Sequence, residues 1–286
     1  MHHFGAVVQL VRIPACHAGG RGFESRPFRH YLYCPIFYLF SFTTYYCIRI
    51  NDVCMTIKLL TFDLDDTLWP CLATIQQTET KLHQWFTQYH PFISEHYSII
   101  DLRNKRQKLA QQYPHIAHDL SALRKHSFAE LAHEMGYSSE QQQQFIHDAF
   151  SFYFKERNKV SLYSDVLPTL EILNKHYDLV ALSNGNADIN QVGLGHLFKF
   201  SWSAADAGKQ KPHPIVFHSL MQKCQLAANK IIHIGDDPIS DIQGAQQSGI
   251  QAIWLNRNKT TWPKELNSPF IEIDQLNQLP AILKAL

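Results

Sequence analysis

The sequence predicts an α/β fold, a doubly wound parallel sheet with a block of helices inserted after its first strand. Three observations carry that reading. The run Leu59-Leu60-Thr61-Phe62 has strand composition and ends abruptly in Asp63-Leu64-Asp65-Asp66-Thr67. Further apolar runs at Asp178–Leu182, Lys230–Ile234 and Gln251–Leu255 alternate with helical stretches, as strands buried on both faces do. Between Ala73 and Arg157 no strand pattern occurs, only helical segments.

Each element follows in order. Ile57–Phe62 is the first strand, and its acids fall at the carboxyl end, where open α/β sheets bind ligands. Three crowded acids repel one another, and an all-oxygen site of this kind calls for Mg²⁺. Helices are expected over Thr74–Tyr89, Glu95–Gln112, Leu120–Met135 and Glu140–Lys155, punctuated by Pro91, Pro114 and Gly136. Ser138 followed by Gln141 reads as a capping box opening the last of them. Asp165–His176 is again helical, with Pro168 in its first turn. The second strand, Asp178–Leu182, runs into Ser183-Asn184-Gly185-Asn186, and Phe198–Ala204 is the third. Lys209-Gln210-Lys211-Pro212 leads to a helix over Ile215–Cys224. The fourth strand, Lys230–Ile234, ends in Gly235-Asp236-Asp237-Pro238-Ile239-Ser240-Asp241. A helix carrying Gly244 and Ala245, a fifth strand at Gln251–Leu255 and a closing helix over Gln275–Leu286 complete the chain. The expected organisation is a core of residues 55–72 and 163–286, with 73–162 as a helical cap.

Composition narrows the partners. Lys and Arg number 26 against 25 Asp and Glu, so a net charge of +1 gives no footprint for nucleic acid or an anionic membrane. Four of the six cysteines precede Met55, which leaves Cys71 and Cys224 in the body; that is no disulfide framework and fits a reducing, cytoplasmic setting. The 17 histidines are scattered, and His115 and His118 read as solvated surface.

Residues 1–54 do not resemble the rest. They are rich in Arg, His, Gly and Cys, then turn aromatic over Tyr31–Ile50. A membrane anchor is one reading of that aromatic run; Pro35, Ser41, Thr43, Thr44 and Arg49 stand against it. A second reading explains more. Pro14–Gly19 can be written CCT GCC TGT CAC GCA GGG, a hairpin like a tRNA anticodon arm, and Gly22–Ser25 can be written as a T-arm. Residues 1–30 are therefore expected to be a tRNA gene read as protein and 31–54 the spacer, with the start at Met55. The nucleotide sequence tests this: the codons must form a cloverleaf.

Four polar loops thus sit at successive strand ends: Asp63-Leu64-Asp65-Asp66-Thr67, Ser183-Asn184-Gly185-Asn186, Lys211-Pro212 and Gly235-Asp236-Asp237 with Asp241. Singly, each is an ordinary turn or helix cap. Jointly and in this order, they resemble the haloacid dehalogenase-like superfamily, in its phosphatase form with a helical cap of the first type, over the 232 residues from Met55. The resemblance implies Asp63 as nucleophile, forming an aspartyl-phosphate, and Asp65 as general acid and base for the leaving oxygen and the incoming water. It implies Mg²⁺ on Asp63, the Asp65 carbonyl and Asp236. Ser183 and the Asn184 N–H would bind phosphoryl oxygens, with Lys211 as the matching cation, preferred over Lys209 because the family pattern is Lys-Pro. Thr67 would steady the first loop. Asp241 would orient the metal shell or Lys211, and Asp237 stands as an alternative ligand.

Asp65 also bears on the reaction type. A departing halide needs no proton, and the dehalogenase branch lacks this second acid, so phosphate-ester hydrolysis is expected. The partner is a small phosphorylated molecule, and the chain a monomer or weak homo-oligomer. Tyr89-His90-Pro91, Tyr113–Asp119, Asn184–Ala187 and Gly193-Leu194-Gly195 resemble the bacterial branch acting on FMN and on 5-amino-6-(5-phospho-D-ribitylamino)uracil. Trp69, Tyr113 and Phe128 are candidate aromatic platforms for such a ring, each of which reads equally as core, and Arg124 and His118 are candidates either to contact its polar tail or to cap helices. A broad sugar-phosphate or nucleotide phosphatase, and a non-catalytic binding protein of the same fold, are the competing readings.

Overall fold

The computed structural model describes residues 56–286. The expectations for residues 1–54, the membrane anchor and the tRNA-derived leader among them, lie outside the described residues. Among the described residues, no helix is long and apolar enough to cross a membrane.

Six strands form one sheet: β1 (Leu59–Phe62), β2 (Asp178–Ser183), β3 (Phe200–Ser203), β4 (Ile231–Gly235), β5 (Gln251–Leu255) and β6 (Ile271–Ile273). Their order is β3-β2-β1-β4-β5-β6, and every pairing is parallel. The apolar runs explain this. Leu60, Phe62, Leu179, Ala181, Ile232 and Ile234 pack on one face of the sheet, while Leu59, Val180, Leu182 and Ile231 pack on the other. Strands buried on both faces need no polar alternation. Phe62 lies level with Ala181 on one side and Ile234 on the other. The residues that follow, Asp63, Ser183 and Asp236, therefore emerge at one edge of the sheet. The chain leaves β1 for β2 on one side and returns to β4 on the other, so that edge is also the switch point where such sheets bind ligands.

Between β1 and β2 stand six helices: the first five, α1 (Cys71–Tyr89), α2 (Pro91–His96), α3 (Ile99–Gln112), α4 (Leu120–Glu134) and α5 (Ser139–Arg157), form an inserted block, and the sixth, α6 (Val166–Leu173), packs in the core of the sheet. This insertion has its own core around Leu82, Phe86, Ile93, Phe128, Leu131 and Phe145. The rings of Phe86, Phe128 and Phe145 meet with centroids 6.1–6.2 Å apart. Each such buried side chain contributes about 1.5–3 kcal/mol, which lets the insertion pack around its own centre.

The structure corrects some boundaries. The helix expected over Glu95–Gln112 is two. α2 stops at His96, Tyr97 is extended, and Ser98 opens α3 with a capping box: its hydroxyl accepts the Asp101 N–H and its own N–H donates to the Asp101 carboxylate at 2.9 Å. Ser-x-x-Asp gives the backbone a local alternative to continuing the helix. The Ser138–Gln141 box is present as expected, with the Ser138 N–H 2.9 Å from Oε1 of Gln141. β6 was not anticipated, because Ile-Glu-Ile is too short to show a period; it lies at the sheet edge beside β5. The closing helix begins at Leu279, after a single tight turn over Leu276–Gln278.

Candidate active site

Lys211 is the centre of the polar cluster at the strand ends. The residue is almost fully buried, at 4% exposure. Its ammonium donates to Oδ1 of Asp63 at 2.7 Å, to Oδ1 of Asp241 at 2.6 Å and to the Leu182 carbonyl at 2.7 Å. All three donor hydrogens are thereby used. Burial works against its charge, but Asp241 and Asp63 more than offset that and hold the ammonium well above the ordinary lysine range. Lys209, the rival two residues earlier, is exposed.

Asp241 is an anchor. Oδ1 accepts from Lys211 and lies 3.1 Å from Nε2 of His233, and Oδ2 accepts the Asp237 N–H at 3.0 Å. Burial alone would raise this carboxyl, yet Lys211 and His233 hold it well below the usual range. His233 itself is pushed down by burial and is held from behind by the Thr61 hydroxyl, 2.9 Å from Nδ1. Gly235 makes room: a Cβ there would stand 2.3 Å from the Asp241 carboxyl carbon.

Asp63, Asp236 and Asp241 each offer a carboxylate oxygen, and the three lie within 4.8 Å of one another. Asp63 is raised well above the normal carboxylate range, first by burial and then by Asp241 and Asp236, with Lys211 acting in the opposite direction. Asp236 is pushed up to about 7 by burial and by Asp241. Three acids around one ammonium leave negative charge uncompensated in a buried place, and an all-oxygen donor set of that kind suits Mg²⁺. Because Asp241 is committed to Lys211, His233 and the Asp237 amide, the oxygens of Asp63 and Asp236 are the better placed for an ion. Asp236 is itself fixed: Oδ1 accepts from the Thr67 hydroxyl at 3.1 Å, and its carbonyl accepts from the Trp254 indole at 2.7 Å. Asp237 caps the following helical turn, accepting from the amides of Ile239 and Ser240 at 2.9 and 2.6 Å.

The second loop binds the third. The Asn184 side chain accepts the Lys211 N–H at 2.7 Å and donates to the Lys211 carbonyl at 3.0 Å, so it holds the lysine backbone. Ser183 accepts the Gly185 N–H at 2.9 Å, which leaves its hydroxyl proton to donate elsewhere. Gly185 admits Asp65: a Cβ there would lie 2.5 Å from Oδ2 of that acid. Both Asp65 oxygens accept from Nη2 of Arg157, at 2.7 and 2.6 Å, and Oδ1 also accepts from the Trp69 indole at 2.8 Å. Asp63, Asp65, Ser183, Asn184, Lys211, Asp236 and Asp241 line one cavity of about 320 Å³.

A haloacid dehalogenase-like hydrolase family matches residues 57–249. The chain belongs to that family. The 5-amino-6-(5-phospho-D-ribitylamino)uracil phosphatase YigB of Escherichia coli K12 is 32% identical over 231 residues, covering 79% of this chain and 96% of YigB. The phosphoserine phosphatase of Thermus thermophilus is 27% identical over 162 residues, covering 54% of this chain and 63% of that protein. Among solved structures, 2-haloacid dehalogenase from Pseudomonas syringae pv. Tomato DC3000 is 36% identical, with a TM-score of 0.75 over 80% of this chain and 99% of that one.

Three residues of this haloacid dehalogenase-like site escaped the sequence reading: Arg157, Trp69 as a hydrogen-bond donor, and His233. Only His233 left a signal, as a lone polar residue inside an apolar strand. The aromatic platforms are a correction. Trp69 is fully buried with its N–H spent on Asp65, Phe128 belongs to the insertion core, and Tyr113 packs on His126 with centroids 4.5 Å apart. None of the three lines the two cavities beside Asp65 or the neighbouring one that Leu64 and Ser183 border. Arg124 does line one, and His118 another.

Proposed function

We propose that this hydrolase is a Mg²⁺-dependent phosphomonoesterase working through an aspartyl-phosphate, and that its substrate is 5-amino-6-(5-phospho-D-ribitylamino)uracil, with FMN as a related one. The observation that carries the reaction type is the pairing of Asp63, held by a buried Lys211, with a second acid two residues on. Likeness to YigB along almost its whole length supports the substrate. The five-helix insertion then serves as the cap, residues 73–162, over a core of 55–72 and 163–286.

In this account Asp63 attacks phosphorus with the carboxylate oxygen that Lys211 leaves free, and the P–O bond to the leaving group breaks. Lys211 holds the nucleophile in place and places positive charge beside the phosphoryl oxygens, while the Ser183 hydroxyl and the Asn184 N–H donate to them. Asp65 protonates the departing oxygen and then takes a proton from the water that opens the acyl-phosphate. Asp63, Asp236 and the Asp65 carbonyl would hold Mg²⁺, which supplies neutralising charge where phosphate meets carboxylate. Thr67 steadies Asp236, Asp241 steadies Lys211, and Asp237 shapes the loop.

The likeness to the Pseudomonas syringae dehalogenase favours a second reading, removal of halide from a 2-haloacid. Asp65 argues against it, since halide departs without a proton. The test assays the full chain with Mg²⁺ and with excess chelator against ribitylaminouracil phosphate, FMN, a panel of sugar and nucleotide phosphates, and 2-chloropropionate. The expected result is metal-dependent phosphate release, fastest from the first substrate. Chloride release without phosphate release would replace this reading by the second.

A further inference from the structure

Beside the phosphate-sized cavity lies a second one of about 220 Å³, at the junction of the insertion and the strand ends. Asp65 and Leu120 border both cavities. The second is walled by three arginines, Arg106 on α3, Arg124 on α4 and Arg157 at the end of α5, with Tyr153 and Asn186. Its place follows from the chemistry proposed above. Asp65 faces the oxygen of the leaving group, so a space reached past Asp65, away from Asp63, is where the rest of that group must go.

The charges in this wall are unbalanced. Glu79 accepts from Arg103 at 2.6 Å and Arg106 at 2.9 Å, and lies 3.8 Å from Arg124. Asp65 accepts from Arg157. The three guanidinium groups of the wall thus share two carboxylates, one of which, Glu79, is also paired with the exposed Arg103. Arg124 is buried, has its guanidinium carbon 4.0 Å from the centre of the Tyr153 ring, and has that distant Glu79 contact as its ion pair. Arg157 is 1% exposed, and its Nε and Nη1 are buried without a hydrogen-bond partner among the described residues. Buried guanidinium N–H groups left unpaired are costly and uncommon in native proteins. Burial, and next the nearness of Arg124, push Arg106 below the ordinary arginine range despite Glu79, as expected where positive charge is in excess. Cys71, on the same wall, has its thiol pushed up to about 12 by burial and by Asp65, so it contributes no thiolate to offset them.

We propose that this cavity is the leaving-group subsite and that Arg124 and Arg157 bind there a planar group carrying paired oxygen acceptors, either a pyrimidine-dione edge or a carboxylate. The inference rests on the phosphatase reading and deepens it. A fork of N–H donors matches the two oxygens of a carboxylate, and two arginines can take one dione carbonyl each, on either side of the ring N–H, as a single ammonium cannot.

The test uses the full chain with Mg²⁺ and two matched pairs of esters. Ribitol 5-phosphate is set against 5-amino-6-(5-phospho-D-ribitylamino)uracil, which adds the dione ring. Glycerol 3-phosphate is set against 3-phosphoglycerate, which adds a carboxylate. At least one acceptor-bearing ester is expected to exceed its partner in kcat/KM by about tenfold or more, as polar recognition allows, and the pair that shows it identifies the acceptor. Arg124→Gln should lower that ratio by at least about fivefold, mainly through KM. Arg157→Gln, checked for folding by circular dichroism, gives a second reading of the same ratio. A wild-type enzyme that prefers neither acceptor-bearing ester, or variants that keep the full preference, would overturn the proposal. p-Nitrophenyl phosphate separates the two levels. Its hydrolysis without any preference refutes the subsite alone, whereas failure to hydrolyse any of the five esters refutes the phosphatase reading.

Discussion

The two sides of Asp65 are out of balance in opposite directions. Towards the sheet, Asp63, Asp236 and Asp241 crowd around one ammonium, that of Lys211. Towards the insertion, Arg106, Arg124 and Arg157 share Asp65 and a Glu79 that the exposed Arg103 also engages. Each imbalance would be costly in a protein that bound nothing, because buried charge without a partner is penalised by several kcal/mol. Together they fit a ligand system with two ends: a divalent cation and phosphate on the acidic side, and an acceptor-bearing group on the basic side. Asp65 stands at the boundary, held by an arginine from the insertion yet reached from a strand of the core.

That contrast can be broken at three points, with effects of decreasing size. Asp65→Asn removes the acid at the boundary. It should slow an alkyl phosphate by roughly 10²–10⁴-fold and p-nitrophenyl phosphate much less, since a good leaving group needs no proton. Steady-state kcat/KM on both esters checks this; equal slowing of the two would contradict the assigned role. Lys211→Met removes the cation of the acidic side alone. We expect a loss of about 10²–10³-fold in kcat, together with a destabilisation of about 3–5 kcal/mol in the metal-free protein, because Asp63 and Asp241 would lose the cation they share. Denaturant unfolding with and without Mg²⁺ measures the second part, and added Mg²⁺ should recover some of it.

The third point is pH. Asp236 sits at about 7 in the metal-free protein, above its unfolded value, so burial favours its protonated form. The stability it contributes is complete below the unfolded carboxylate range and is lost as pH rises through about 7. Mg²⁺ competes with the same proton. Asp63, raised by the same burial, adds to this competition, so the Kd should tighten by roughly tenfold or more between pH 6 and pH 8, with at least one proton released on binding. Calorimetry in buffers of different ionisation heat reads both quantities; a Kd independent of pH would remove Asp236 from the metal site.

Much of the acidic side was legible in the sequence, and little of the basic side. Asp63, Asp65, Ser183, Lys211 and Asp236 follow apolar runs or fixed loop patterns, and a parallel sheet brings strand ends together whatever lies between them. Arg157 meets Asp65 across 92 positions through the packing of α5, and no local pattern announces such a contact. Nor does composition reveal that Arg124 lies over Tyr153, because that depends on how α4 and α5 cross. The break at Tyr97 and Ser98 shows a milder limit: Ser-x-x-Asp is readable as a cap, but it is masked by helix formers on both sides. β6, three residues long, carries too little alternation to be recognised.

The central claim, that Asp63 takes the phosphoryl group, is tested most directly by acid-quenching Asp65→Asn during turnover with p-nitrophenyl phosphate and mapping the chain by mass spectrometry. Without its base, that variant should hydrolyse the acyl-phosphate slowly and accumulate it. The account predicts one phosphoryl group on the peptide containing Asp63, absent when Asp63→Asn is added. A phosphoryl group on any other residue, or continued turnover in the double variant at the rate of Asp65→Asn, would contradict it.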